Sequence, residues 1–234
     1  MKILLTGSCG YVGSSLVPLL LSRGHTLRTF DVEWFGNDLP ENENLEHTKK
    51  DIRDLEEKDF KGVDRVVHLA NIANDPGVEL NPSLVWEVNV LATQRMAEFA
   101  VKSGVEQFIY ASSGSVYGVK EEEHVTEDLD LVPISVYNKT KMVSERVVLS
   151  YASDMAVQVI RPATVCGFSP RTRLDVAVNL LTNQALNNGE ITVLGGKQTR
   201  PNIHIRDMAR VYLHFLERPY ISGVFNAGFE NLSI

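Results

Sequence analysis

What this chain lacks narrows its function before any motif is read. Its 234 residues include only two cysteines, Cys9 and Cys166, far apart and without metal-ligand spacing, and the six histidines do not cluster with them. Neither a disulfide framework nor a metal site is expected. No lysine/arginine block occurs, and 23 basic against 30 acidic residues give a formal charge of -7, which argues against a nucleic-acid partner. No apolar run approaches the ~20 residues of a membrane span. The start, "MKILLTG", enters a strand-and-turn pattern with no signal-peptide h-region. No membrane partner is expected, and a cytoplasmic location is the default. Internal repeats and low-complexity tracts are missing too, and the acidic stretch "EEEH" at 121–124 reads as a solvated loop.

What is present is a rhythm. With 44% hydrophobic residues the chain can build one substantial core, or one main domain with a small annex. Short apolar runs, "KILLT" (2–6), "TLRTF" (26–30), "DRVVHLA" (64–70), "QFIYAS" (107–112) and "VQVIRP" (157–162), alternate with longer amphipathic stretches. The runs read as buried strands of a parallel sheet. Helical patterns lie between them: "YVGSSLVPLLLSRG", stopped by Gly24 and kinked or strained by Pro18, and "PSLVWEVNVLATQRMAEFAVKSG", stopped by Gly104. Strand and helix in alternation predict a doubly wound α/β fold. From about residue 165 the texture changes to a helix at roughly 174–188, a short strand "ITVLGG" (191–196), a loop, a helix "IRDMARVYLHFLE" and a last strand "GVFNAG". Residues 1–165 are therefore expected to form the nucleotide-binding domain, and 166–234 a small subdomain that partly returns to the core.

Three glycines in "LLTGSCGYVGSSL" follow the first strand and open the first helix, the context in which a glycine loop binds a dinucleotide. Gly7 permits the tight turn, Gly10 lets backbone amides approach a pyrophosphate, and Gly13 lets helix and strand pack closely. The spacing is GxxGxxG, a variant of GxGxxG, and Cys9 inside it needs only to be small. Asp31, 18 residues past Gly13, stands near the offset of an acid that accepts the adenosine ribose hydroxyls. A carboxylate there repels a 2'-phosphate and favours NAD over NADP, although an acidic turn residue would look the same. "YNKTK" puts Tyr137 and Lys141 on one helical face, where an ammonium favours the phenolate of a side chain whose ordinary pKa is ~10. The same spacing also arises by chance. Ser112 and Ser113 in "YASSGSVYG" lie at the carboxyl end of a central strand, where open α/β sheets bind ligands, or they simply make a turn.

Taken in order, Gly7-Gly10-Gly13, Asp31, "DIRD" at 51, "HLAN" at 68, Asn89 in "NVLAT", "SSGSVYG", Tyr137/Lys141 and "RPATVCG" at 161 resemble the extended short-chain dehydrogenase/reductase family. The closest branch is that of NAD-dependent nucleotide-sugar epimerases and dehydratases. The resemblance implies a Rossmann fold, NAD as cofactor, a nucleotide-sugar substrate, and a homodimer paired through helices that flank the sheet. It implies Tyr137 as the acid/base, Lys141 as the residue that holds the nicotinamide ribose and lowers the tyrosine pKa, Ser113 as the catalytic hydroxyl and Asn89 as the supporting asparagine. The cofactor would be lined by Gly7, Gly10, Tyr11, Val12, Gly13, Asp31, Asp51, Ile52, Leu69, Ala70, Asn89, Ala111, Ser112, Tyr137 and Lys141. Substrate would meet Ser113, Tyr137, Thr164, Asn179 and Arg200, the last in "TRPNIHIRDMAR".

Two departures sharpen the implied chemistry. Where 4,6-dehydratases of this family carry an Asp-Glu pair after the catalytic threonine, this chain has Gly114 and Ser115, which removes the acid and base of water elimination. Thr164 stands where 4-epimerases often have an asparagine that touches the sugar. Family members also run several tens of residues further, so a truncated or short chain is expected at Ile234. The activity implied is an NAD-dependent nucleotide-sugar epimerase working through a transient 4-keto sugar. A net NAD-dependent oxidoreductase on a nucleotide sugar is the alternative, and a non-catalytic dinucleotide-binding protein a third reading.

Overall fold

The computed structural model describes residues 1–73, 78 and 80–233; the chain end at Ile234 lies outside the described residues. Seven strands form the main sheet: β1 (Lys2–Thr6), β2 (Thr26–Asp31), β3 (Leu45–Lys49), β4 (Arg65–His68), β5 (Gln107–Ala111), β6 (Ala156–Pro162) and β9 (Gly223–Ala227), all parallel, in the order β3-β2-β1-β4-β5-β6-β9. The chain leaves β1 towards β2 and β3 on one side and returns to β4 on the other. That reversal opens a crevice at the carboxyl ends of β1 and β4, where doubly wound sheets bind ligands. Register sets Thr6 beside both Phe30 and His68, so the three strands end level at its rim.

The strands read as continuous apolar runs because both faces of the sheet are covered. Ile3 and Leu5 of β1 pack on one face with Ile109 and Ile160, beneath α1 (Gly13–Ser22) and α6 (Ile205–Leu216). Leu4 points to the opposite face with Phe108, Tyr110, Val157 and Val159, beneath α3 (Ala92–Lys102). Helix α1 runs through Pro18, which lies on its exposed side, and Gly24 and Gly104 follow α1 and α3 with φ of 74° and 75°. The long second helix is composite. α2 (Pro82–Trp86), capped by the Asn81 side chain, passes through a π turn at Glu87–Leu91 before α3 begins. α4 (Val136–Leu149) starts at Ser135, whose hydroxyl accepts from the Asn138 amide, and lies between β5 and β6 in the chain. No described helix is long and apolar enough to cross a membrane.

Past Pro162 the chain builds a second, three-stranded sheet, in which β7 (Thr164–Cys166) is parallel to β8 (Thr199–His204) and β10 (Glu230–Ser233) is antiparallel to it. α5 (Ala177–Asn188) lies between β7 and β8 in the chain and ends at Gly189 in the left-handed region. Helix α6 and strand β9 return to the main sheet. The expected strand "ITVLGG" is not one. Ile191, Val193 and Leu194 are exposed, and Gly195 and Gly196 take φ of 86° and 82°, which ends any extended run. The strand of this segment is "TRPNIH", which pairs on both sides although only Ile203 in it is buried.

Candidate active site

The glycine loop is shaped by backbone contacts that leave no room for side chains. Gly7 takes φ +75° and donates its amide to Phe30 O at 2.9 Å, and a Cβ on it would stand 2.7 Å from the Ala70 amide nitrogen. A Cβ on Gly13 would fall 2.2 Å from Gly7 O, and one on Gly10 3.2 Å from the same oxygen. The loop thus folds back on the first turn of α1, while Leu69 and Ala70, leaving β4, press against Gly7. Asp31, ending β2, accepts from the Cys9 amide at 2.9 Å and the Glu33 amide at 2.7 Å, one bond on each oxygen. A carboxylate has about four acceptor positions, so roughly two remain for a ligand's hydroxyls. Burial first, then Asp31, pushes the Cys9 thiol up to about 11, so it stays protonated at neutral pH. On the flank, Asp51 caps a short turn and pairs with Arg53 at 2.9 Å, while Ile52 is buried. Burial opposes ionisation of Asp51, but the Arg53 bonds outweigh it and hold the carboxyl below its usual range. An open groove of about 410 Å³ lies here, lined by Val32, Lys49, Lys50, Asp51 and Asp54.

Behind the crevice a row of polar side chains crosses the sheet. Thr6 Oγ1 lies 2.7 Å from His68 Nδ1, His68 Nε2 lies 2.8 Å from Thr93 Oγ1, and Thr93 donates to Asn89 O at 2.7 Å. Burial, helped by the charge of Lys141, lowers His68 to about 3 and keeps it neutral. Asn89 is itself buried within the π turn. Its Oδ1 accepts from the Ile72 amide, and its Nδ2 donates to Ile72 O and Thr140 Oγ1. Its side chain therefore ties the β4 exit loop to α4 and does not reach open crevice. π turns recur at functional sites, and this one brings its carbonyl to the Thr93 and Ser144 hydroxyls.

Helix α4 carries Tyr137, half-buried, and Lys141, 1% exposed, one turn apart. The Lys141 ammonium donates to Ala111 O and lies 4.9 Å from the Tyr110 ring centre and 5.8 Å from that of Tyr137. Burial lowers Lys141 to about 7, against the pull of the Glu145 charge. Ser113 begins a tight turn after β5. Its Oγ lies 2.7 Å from Ser115 Oγ, which donates onward to Asn138 Oδ1. Ser112 faces inward, and its hydroxyl donates to the buried Glu145 carboxylate. The two positions after Ser113 offer a glycine and a hydroxyl, with no carboxylate.

The segment after β7 docks onto the glycine loop, a contact sequence reasoning missed. The Tyr11 hydroxyl donates to Gly167 O at 2.6 Å, and Ser169, 1% exposed, bonds Tyr11 O, Ser14 Oγ and Ser15 Oγ at 2.7–2.9 Å. Asn179 is fully engaged in the same joint. It accepts from the Gly167 amide and donates to Tyr11 Oη and Arg173 O. Arg171 lies 3.7 Å from the Phe35 ring centre, and Arg173, paired with Asp175, is near enough for its charge to act on Tyr137 and Tyr11. Thr164 opens β7, half-buried, and Arg200 sits exposed on β8, opposite Leu232 of β10. No local spacing signals the Tyr11–Ser169 joint, because its partners lie more than 150 residues apart.

A family model described as "NAD dependent epimerase/dehydratase family" matches residues 3–228. An uncharacterized UDP-glucose epimerase of Bacillus subtilis is 31% identical, with 95% of this chain and 75% of the relative covered. A UDP-glucuronic acid decarboxylase of Xenopus tropicalis is 28% identical, with 88% of this chain and 51% of the relative covered. Among solved structures, UDP-glucuronic acid 4-epimerase from Bacillus cereus, in complex with UDP-glucuronic acid and NAD, matches with TM-score 0.88 and 30% identity over 100% of this chain and 80% of its own. The chain spans about half the length of some curated relatives it matches and about three quarters of others.

Proposed function

The chain belongs to the NAD-dependent epimerase/dehydratase family, and from that premise we propose that it is a nucleotide-sugar 4-epimerase. A dinucleotide suits the residues present. Gly7 and Gly13 hold the backbone where a Cβ would intrude, and Asp31 keeps acceptor positions for two ribose hydroxyls while its charge disfavours a 2'-phosphate. NAD, when bound, supplies a carbon that takes up hydride from the sugar and gives it back.

The work of the chain is proton transfer and orientation. Tyr137, as phenolate, takes the proton of the C4 hydroxyl, and Ser113 exchanges its bond to Ser115 for one to the sugar oxygen as that oxygen becomes a ketone. Lys141, fixed on Ala111 O, supplies the positive charge that favours the phenolate. With no carboxylate at positions 114 and 115, the keto sugar has no general base here for elimination. It turns within the site, and Tyr137 returns its proton. The observation that carries this reading is the buried Lys141 ammonium beside Tyr137, one strand end away from Ser113.

The test is retention and interconversion. Protein dialysed free of loose nucleotide is expected to keep NAD and to interconvert UDP-glucose with UDP-galactose, or UDP-glucuronic acid with its 4-epimer, without added cofactor. Tyr137→Phe is expected to lower turnover by about 10³-fold with NAD retention unchanged. Steady accumulation of reduced nicotinamide during turnover would replace this reading with a net oxidoreductase. Unimpaired turnover by Tyr137→Phe would remove the mechanism.

A further inference from the structure

Residues 137, 141 and 145 stand one turn apart on one face of α4. The third, Glu145, is as buried as Lys141 at 1% exposed, and it lies deeper in a polar cluster that no step above uses. Its Oε1 accepts from the Ser112 hydroxyl and from Arg161 Nε at 3.0 Å, and its Oε2 accepts from Arg161 Nη2 at 2.7 Å. Arg161 Nη1 donates to Tyr117 Oη at 2.7 Å, and the Tyr117 hydroxyl donates to Asn226 on β9 at 2.8 Å.

Two consecutive residues at the end of β5 are thus gripped by two consecutive turns of α4: Ala111 by Lys141, and Ser112 by Glu145. The next residue is Ser113. A buried ion pair is poor evidence for added stability, because desolvation cancels much of its attraction. The placement of its charges is informative. The groups that face Lys141 are Tyr137 and Glu145 on its own helix, Tyr110 on β5 and neutral His68 on β4. Arg161 on β6 stands behind Glu145, the Arg173 charge reaches Tyr137, and Tyr137 in turn acts on Tyr212 of α6. Among these groups only Glu145 brings negative charge to the ammonium, and its partner Arg161 is turned away towards Tyr117.

We propose that Glu145 is a positioning residue of the active site: through Ser112 it fixes the strand end that carries Ser113, and through its charge it keeps Lys141 an ammonium while Tyr137 becomes a phenolate. The inference rests on the reading of Ser113, Tyr137 and Lys141 given above. Without the Glu145 charge, Lys141 keeps its burial but loses the negative group that opposes it, so the lysine loses its proton at lower pH and the phenolate loses its partner.

The experiment follows near-ultraviolet tyrosinate absorbance against pH in the purified, nucleotide-loaded protein, taking each variant minus the same variant with Tyr137→Phe. Wild type is expected to show one tyrosine ionising below the ordinary range. Glu145→Gln is expected to raise that midpoint by about one pH unit. The double variant Glu145→Gln/Arg161→Gln, which leaves no unpaired Arg161, is expected to raise it by less, and Glu145→Asp, which keeps the charge, to leave it in place. An unmoved midpoint in folded Glu145→Gln or in the folded double variant overturns the inference, as does a raised midpoint in Glu145→Asp. If wild type shows no such tyrosine, the reading of Tyr137 falls first and the inference falls with it.

Discussion

Helices α5 and α6 have twelve residues each and stand on either side of β8 in the chain, yet one is buried on the main sheet and the other is not. α6 places Ile205, Met208, Ala209, Tyr212 and Leu216 on one stripe and buries them against the main sheet, with a first turn capped by His204. α5 buries none of its residues, and its apolar side chains are spread around it. α6 is therefore part of what holds the sheet, whereas α5 presents a single polar group, Asn179, to the joint between the Gly167 loop and Tyr11. Two segments that look alike as helices divide into one that stabilises and one that orients. Burial, more than helix length or propensity, separates them.

The contrast can be broken at three points. Leu216→Ala removes a fully buried side chain from α6 and is expected to cost about 2 to 5 kcal/mol of unfolding free energy, read from denaturant midpoints. Asn179→Ala gives up three hydrogen bonds at one joint. Its expected cost is about 1 to 2 kcal/mol, felt locally, so the KM for the nucleotide sugar should rise severalfold while the melting temperature stays near that of the parent. An unchanged KM would confine α5 to a passive role. Leu186→Ala, on the open side of α5, is expected to change stability by less than about 0.5 kcal/mol. A loss there as large as that of Leu216→Ala would mean that α5 is covered in solution and would erase the distinction.

How much was legible in the sequence followed the same division. β1, β4, β5 and β6 announce themselves because burial on both faces leaves uninterrupted apolar runs. β3 does not, since "LEHTK" is an edge strand with no buried residue and only its pairing with β2 makes it extended. The "ITVLGG" error has the inverse cause, apolar residues with no neighbouring strand to pair with. In the site, Tyr137 and Lys141 are readable because their spacing is local, and Glu145 lies at the same offset once more. What no local spacing reveals is what Glu145 touches, since Ser112 and Arg161 meet it only after β5, α4 and β6 have packed together. The Ser169 joint is hidden for the same reason.

The polar row that crosses the sheet behind the crevice has a direction. Thr93 gives its only hydroxyl hydrogen to Asn89 O, so it can only accept from His68, which must carry its hydrogen on Nε2. His68 Nδ1 is then a bare lone pair, and Thr6 must donate to it while its own oxygen receives the Ala70 amide at 3.4 Å. Each hydrogen in the row is committed in one sense, outward from His68 on one side and towards it on the other. A valine would match either threonine in shape, yet at position 6 it would leave the imidazole lone pair unanswered, and at position 93 its N–H. The two threonines are thus fixed by the orientation of one ring between them.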